Sequence, residues 1–144
     1  MARPVVYVCL LLSVVLVWAT GCAASDSSVS TRSGAELLVT VTESEGSTPT
    51  EWMLTCGSSA GGSHPDPPAA CAALQAVLDE GGDPFAPVPA DAVCTEIYGG
   101  SATATLTGTW QGKAVDASYS RTNGCEIARW DPLMGVFRTT GTIA

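Results

Sequence analysis

Few side chains in this sequence are of the kinds that do chemistry, and one short stretch gathers an unusual set of them: Val93-Cys94-Thr95-Glu96-Ile97-Tyr98-Gly99-Gly100. A cysteine stands two residues before a carboxylate, an apolar pair follows, and two glycines close the run. Such a stretch reads as a short exposed segment pinned at one end, a form that a protease would take as substrate. The plainer reading of the same residues is a structural disulfide at Cys94 beside one more solvated acid, Glu96.

Other routes to chemistry are poorly supplied. His64 is the only histidine. It follows Ser63 directly, so the two side chains point apart, and no G-x-S-x-G turn exposes a nucleophile. The cysteines contain no C-x-x-C pair with which to begin a zinc site. Asp79 and Glu80 are neighbours at a helix end, better explained as a solvated face than as an acid/base pair. Gly61-Gly62 runs into prolines rather than into a helix with a phosphate-binding lysine. Neither an enzyme nor a bound metal or cofactor is expected.

The 144 residues allow one domain plus a targeting segment, and a hydrophobic share of 46% supports a real core. Fourteen acidic side chains against six basic ones give a net charge of -8, which opposes binding to nucleic acid or anionic lipid. Met1 to Trp18 has one early cation, Arg3, then an apolar run too short for a permanent membrane span. It ends at Ala19-Thr20-Gly21-Cys22. Residues 1–21 are therefore expected to be a signal peptide. Cleavage before Cys22 would leave it as a lipid-modified N-terminus, and cleavage near Ala24 would give a freely secreted protein instead. Either route puts the folded part outside the cytoplasm. Residues 22–34, rich in Ser and Thr, read as a flexible tether, and residues 35–144 as the domain. Cys56, Cys71, Cys94 and Cys125 lie inside that domain, which in an oxidising compartment implies two disulfides with three pairings open.

The elements that must position the stretch are visible as changes of period. Leu37, Val39 and Val41 share one face of a strand, as do Trp52, Leu54 and Cys56 in a second running from Glu51 to Cys56. Gly57 to Pro65 is a loop. Asp66-Pro67 opens a helix that places Ala70, Cys71, Leu74, Val77 and Leu78 on one side and ends at Gly81-Gly82. Asp83 to Asp91, with three prolines, is an irregular approach. Ala102, Ala104, Leu106, Gly108 and Trp110 alternate with hydroxyl side chains, and Gln111-Gly112 makes a two-residue hairpin into Lys113 to Arg121. Gly124 to Arg129 suits one or two helical turns, and Val136-Phe137 is expected to begin a last strand. The sum is an α+β domain, a five-stranded antiparallel sheet with two helices packed on one face and two disulfides.

Three pieces in order, Gly62-Ser63-His64-Pro65 with Ala69-Ala70-Cys71-Ala72-Ala73-Leu74, then Cys94-Thr95-Glu96-Ile97-Tyr98, then Gly108-Thr109-Trp110-Gln111-Gly112-Lys113, resemble the Streptomyces subtilisin inhibitor family. The resemblance covers about Leu37 to Phe137. It implies the same fold and pairs Cys56 with Cys71 and Cys94 with Cys125. It also implies a reactive site, with Cys94 at P3, Thr95 at P2, Glu96 at P1, Ile97 at P1' and Tyr98 at P2', the scissile bond lying between Glu96 and Ile97. The implied partner is an extracellular serine endopeptidase. A second copy is also implied, since family members pair through the sheet face; the apolar row Ala102 to Trp110 would serve for that, or would face the helices instead.

Three departures bear on that site. Thr95 stands where proline is common, Gly99-Gly100 stand where Asp-Pro often follows the tyrosine, and both predict a looser loop. Glu96 is a carboxylate where apolar or basic residues are familiar. Burying it in an apolar pocket would carry a desolvation penalty, so the expected target is a glutamate-specific enzyme with a polar or cationic pocket. The alternative is a surface-anchored binding or structural module that keeps the scaffold without inhibiting.

Overall fold

The computed structural model describes residues 34–138, so the expected signal peptide, Cys9, Cys22 and all but the last residue of the tether lie outside the described residues. β1 (Ala35–Thr42) is the middle strand of a five-stranded antiparallel sheet. It pairs on one side with β2 (Thr50–Cys56) and on the other with β4 (Thr103–Trp110), so that Val39 lies opposite both Trp52 and Leu106. β5 (Lys113–Tyr119) continues the sheet beyond β4, with Ala117 opposite Leu106. The period of two works as the alternation predicts. Leu37, Val39, Val41, Leu54, Ala104, Leu106, Val115 and Ala117 are buried on one face, while Glu36, Thr103 and Asp116 lie on the other. Gln111 and Gly112 form the β4–β5 turn with φ of 49° and 80°, the positive values that a two-residue turn needs to match strand twist.

The fifth strand is not the expected one. β3 (Gly61–Gly62) pairs with Leu54 and Thr55 at the far edge of β2. It has no side chains with which to announce itself. The segment expected to start a last strand at Val136-Phe137 is instead helical. α2 (Gly124–Trp130) runs into a 3-10 turn over Asp131–Leu133 with Pro132 in its opening turn, and then into α3 (Met134–Phe137). Proline suits the start of a helix, and Trp130, Leu133, Val136 and Phe137 then recur at helical spacing, all buried. Their stripe satisfies the core better than a two-residue strand would.

α1 (Pro67–Asp79) begins where Asp66 accepts a hydrogen bond from the Ala69 N–H, 3.2 Å. It ends in a Schellman pair, Gly81 N–H to Leu78 C=O at 2.9 Å and Gly82 N–H to Val77 C=O at 2.9 Å, with Gly81 at φ 82°. Its Ala70 and Leu74 enter the same core as the sheet's apolar face, so the row Ala102 to Trp110 faces the helices and is not an outer dimer surface. His64 closes this end of the core, 4% exposed. Its Nε2–H donates to the Val136 C=O at 2.9 Å, and its Nδ1 accepts from the Asp66 N–H at 3.1 Å, which fixes one neutral tautomer. Ser63 turns the other way and accepts from the Met53 N–H at 2.9 Å. The histidine thus staples α3 to the start of α1, and both its nitrogens are engaged.

Tyr119 ends β5 in an aromatic cluster, its ring 4.9 Å from that of Phe137, which lies 4.6 Å from Trp130. The buried Tyr119 hydroxyl donates to the Pro84 C=O at 2.7 Å and so holds the irregular approach against the sheet. Burial pushes this phenol well above the usual tyrosine range, against a smaller opposing pull from Arg129. Because the raised value belongs to the folded state, the associated stability is complete below the ordinary tyrosine pKa of about 10 and is lost as pH rises beyond it. Urea titrations of the protein and of Tyr119→Phe should show the variant weaker by about 1–2 kcal/mol at neutral pH, with the gap closing above pH 10; an unchanged gap there would contradict this origin.

Candidate functional site

Residues 93–100 lie between α1 and β4 with no regular structure, and they carry the most exposed apolar side chains among the described residues. Val93 is 99% exposed, Ile97 59% and Tyr98 66%. Glu96 between them is exposed and makes no ion pair with any described residue. The site is a protrusion rather than a pocket. A cleft of about 350 Å³ does exist, but it lies at the other end of the domain beside Cys56, Cys71 and Trp110.

What holds the protrusion is the start of α2. Asn123 caps that helix by accepting from the Glu126 N–H at 3.0 Å, and the Cys94–Cys125 bridge, Cα–Cα 5.3 Å, ties the segment to its first turn. Two backbone hydrogen bonds add to the bridge. The Gly124 N–H donates to the Thr95 C=O at 2.8 Å, and the Gly99 N–H donates to the Arg121 C=O at 2.7 Å. One lies just before Glu96-Ile97-Tyr98 and the other just after, so those three residues span a gap between two fixed points.

The platform is itself fixed. Arg129 of α2 pairs with Glu126 at 2.8 Å, donates to the Ser118 C=O at 3.0 Å, and lies 4.6 Å over the Tyr119 ring. Arg121 lies 5.9 Å over Trp130. These contacts lock α2 and the end of β5 to the core, and through them the segment inherits the rigidity of the sheet. The incoming side is held by Tyr119 on Pro84 and by Phe85 against Trp110, ring centroids 5.7 Å apart.

Read from the sequence as one exposed segment, Thr95, Glu96, Ile97 and Tyr98 are exposed and Cys94 is half-buried, and both disulfides pair as the resemblance implied. Thr95 and Gly99, expected to loosen the loop, are the residues whose backbone groups anchor it. Gly99 also lets the chain lie close to α2, since a Cβ there would stand 2.9 Å from Ile127 Cδ1. Gly124, Arg121 and Asn123 escaped that reading, as did the full exposure of Val93. Their signal is spatial: a glycine and an asparagine beside Cys125 mean little until Cys125 is known to lie under Cys94.

A small disulfide-stapled α+β domain that displays one exposed segment, held at both ends, is the kind of protein this fold and site define. Residues 33–123, more than half of the 144, match the family model described as subtilisin inhibitor-like, and the chain belongs to that family. It is similar to kexstatin-1 of Streptomyces platensis, 38% identical over 74 residues that make up 51% of this chain and 50% of that protein. It is also similar to subtilisin inhibitor-like protein 3 of Streptomyces coelicolor, 46% identical over 77 residues, 53% of this chain and 66% of the other. A trypsin inhibitor of Streptomyces longisporus is 43% identical over 77 residues, 53% of this chain and 49% of its own length. The chain thus spans between about half and two thirds of the curated relatives it matches. Among solved structures, Streptomyces caespitosus sermetstatin in complex with Bacillus licheniformis subtilisin is 27% identical, covering 69% of this chain and 96% of that one with a TM-score of 0.42.

The two bridges should be separable by experiment. Replacing Cys94 and Cys125 together by serine should cost roughly 4 kcal/mol and replacing Cys56 and Cys71 roughly 3 kcal/mol in the loop-closure picture. Only the first pair should also speed proteolytic nicking between residues 95 and 98, measured under conditions where both variants stay folded. Equal nicking in the two variants would show that the Cys94–Cys125 bridge does not hold the segment.

Proposed function

We propose that this chain inhibits an extracellular serine endopeptidase by offering Glu96–Ile97 as a scissile bond in a substrate-like segment. The observation that carries the proposal is the placement of the exposed run Glu96-Ile97-Tyr98 between the Thr95 and Gly99 backbone hydrogen bonds, beside the Cys94–Cys125 bridge. Relatives named as protease, subtilisin and trypsin inhibitors support the class. A segment already exposed and held at both ends loses little conformational freedom on entering an active site, so its contacts appear as affinity rather than being spent on ordering. After cleavage at Glu96–Ile97 the bridge and hydrogen bonds would keep both new ends in register, where the bond can re-form faster than the product leaves.

In this reading Glu96 fills the enzyme's S1 pocket, Ile97 and Tyr98 contact the primed side, and Thr95 and Cys94 line the other. A carboxylate entering an apolar pocket would be left unpaired, whereas a cationic pocket would hold it by charge-assisted hydrogen bonds. The target is therefore a glutamate-specific serine endopeptidase, and the inhibitor itself performs no catalysis. The domain acts outside the cytoplasm, anchored by lipid on Cys22 or freely secreted, and the mass of the mature N-terminus distinguishes these. A second copy would meet the outer sheet face, where Met53 is exposed, because the helices occupy the inner one. Glu96 also favours the second reading, a module that keeps the scaffold without inhibiting, since it is ill suited to the apolar pockets of subtilisin-like enzymes.

Titrating the protein against secreted serine proteases of glutamate, lysine and aromatic specificity decides between the two. One-to-one loss of the glutamate-specific activity is expected, with Glu96→Gln weakening inhibition roughly 10- to 100-fold through loss of a charged hydrogen bond. Best inhibition of a lysine- or aromatic-specific enzyme, unchanged by Glu96→Ala, would overturn the assignment of Glu96. No inhibition across the panel would favour the non-inhibitory module.

A further inference from the structure

The Thr95 side chain and Gly124 fill one space between them. A Cβ built on Gly124 would overlap Thr95 Oγ1, while remaining 3.4 Å from Thr95 Cβ and 3.5 Å from the Thr95 carbonyl oxygen. The overlap is therefore with the hydroxyl and not with the threonine backbone or its branching carbon. Gly124 is also the residue whose N–H holds the Thr95 C=O at 2.8 Å, and it sits between the capping Asn123 and the bridged Cys125. A side chain at 124 would have to turn the Thr95 hydroxyl away, about a χ1 that β-branching restricts, or push Thr95 or the helix start aside. Cys125 and the Asn123 cap hold the helix, so Thr95 is the partner that gives.

We infer that Gly124 is a positioning residue for the exposed segment, matched specifically to the Thr95 hydroxyl, so that residues 95 and 124 act as an interlocked pair. The inference rests on the inhibitory reading for its effect on a protease, and on the structure alone for the interlock. Gly124 touches no substrate. It acts through Thr95, the residue immediately before Glu96, by keeping the Thr95 carbonyl on its hydrogen bond and the Glu96 backbone at a fixed distance from α2. Releasing that carbonyl would let the chain beside Glu96 move, so that more freedom is lost on binding and the cut ends separate more easily.

A double-mutant cycle tests the pairing. Gly124→Ala in the parent is expected to raise the dissociation constant for a glutamate-specific endopeptidase about tenfold or more and to speed hydrolysis at Glu96–Ile97. The same change made on Thr95→Ala, where the hydroxyl is gone, is expected to alter both within about twofold. On Thr95→Ser, which keeps the hydroxyl but lets it turn more freely than the β-branched threonine does, the harm should lie between those two. Hydrogen exchange of the residue-124 amide gives a readout independent of inhibition: protected in the parent, exposed in Gly124→Ala, and protected again when Thr95→Ala is added. If the parent inhibits nothing, the inhibitory reading fails, and the exchange pattern still decides the interlock. If Gly124→Ala alone does not fold, recovery of folding by Thr95→Ala supports the pairing. Equal effects of Gly124→Ala in all three backgrounds, by either readout or on folding, would overturn it.

Discussion

Everything at the exposed end of this domain depends on one junction, the point where the Cys94–Cys125 bridge meets the first turn of α2. A lone disulfide fixes a segment at one residue and leaves it free to swing. Here the bridge is joined by the Gly124–Thr95 and Gly99–Arg121 hydrogen bonds, so the chain is held on both sides of Glu96-Ile97-Tyr98. Three exposed residues between two fixed points have few alternative paths. Each hydrogen bond is worth about 1 kcal/mol net, little beside global stability, but together they decide the local conformation.

The rest of the fold keeps that junction still. α2 has only seven residues and would not persist alone. It is held by its Asn123 cap, by Arg129 reaching both Glu126 and the β5 backbone, and by Trp130 buried against Phe137. Behind these lies the sheet, with β1 at its centre and α1 and α3 across its apolar face. The second bridge, Cys56–Cys71, does for β2 and α1 what the first does for the exposed segment, at the opposite end of the domain. His64 belongs to the same structural economy. The only histidine in the chain is consumed by the Val136 carbonyl and the Asp66 amide, which leaves neither nitrogen to serve as a base.

Much of this was legible in the sequence, for identifiable reasons. β1, β4 and β5 each alternate over several residues, and each has the buried face that the alternation names. Asp66-Pro67 and Gly81-Gly82 bracket α1 because capping is local chemistry. What escaped was set by distant partners. Gly61-Gly62 becomes a strand only because the edge of β2 is there to pair with it. Val136-Phe137 looks like a strand by residue type, yet Asp131-Pro132 has already turned the chain into a helix whose stripe runs through Leu133. Gly124 is the clearest case. Its role is an absence of side chain opposite Thr95, 29 residues earlier by sequence numbering, and no local pattern reports that.

On the proposed inhibitory reading, the segment is held so firmly that cutting it changes little. The most direct measurement follows the Glu96–Ile97 bond to equilibrium from both sides, with catalytic amounts of a glutamate-specific endopeptidase and quantification of intact and nicked chain by mass spectrometry. A clamped segment predicts that the intact protein and the purified nicked protein converge on one mixture in which the intact form is well populated. Complete conversion to the nicked form from one side, with no resealing from the other, would contradict it.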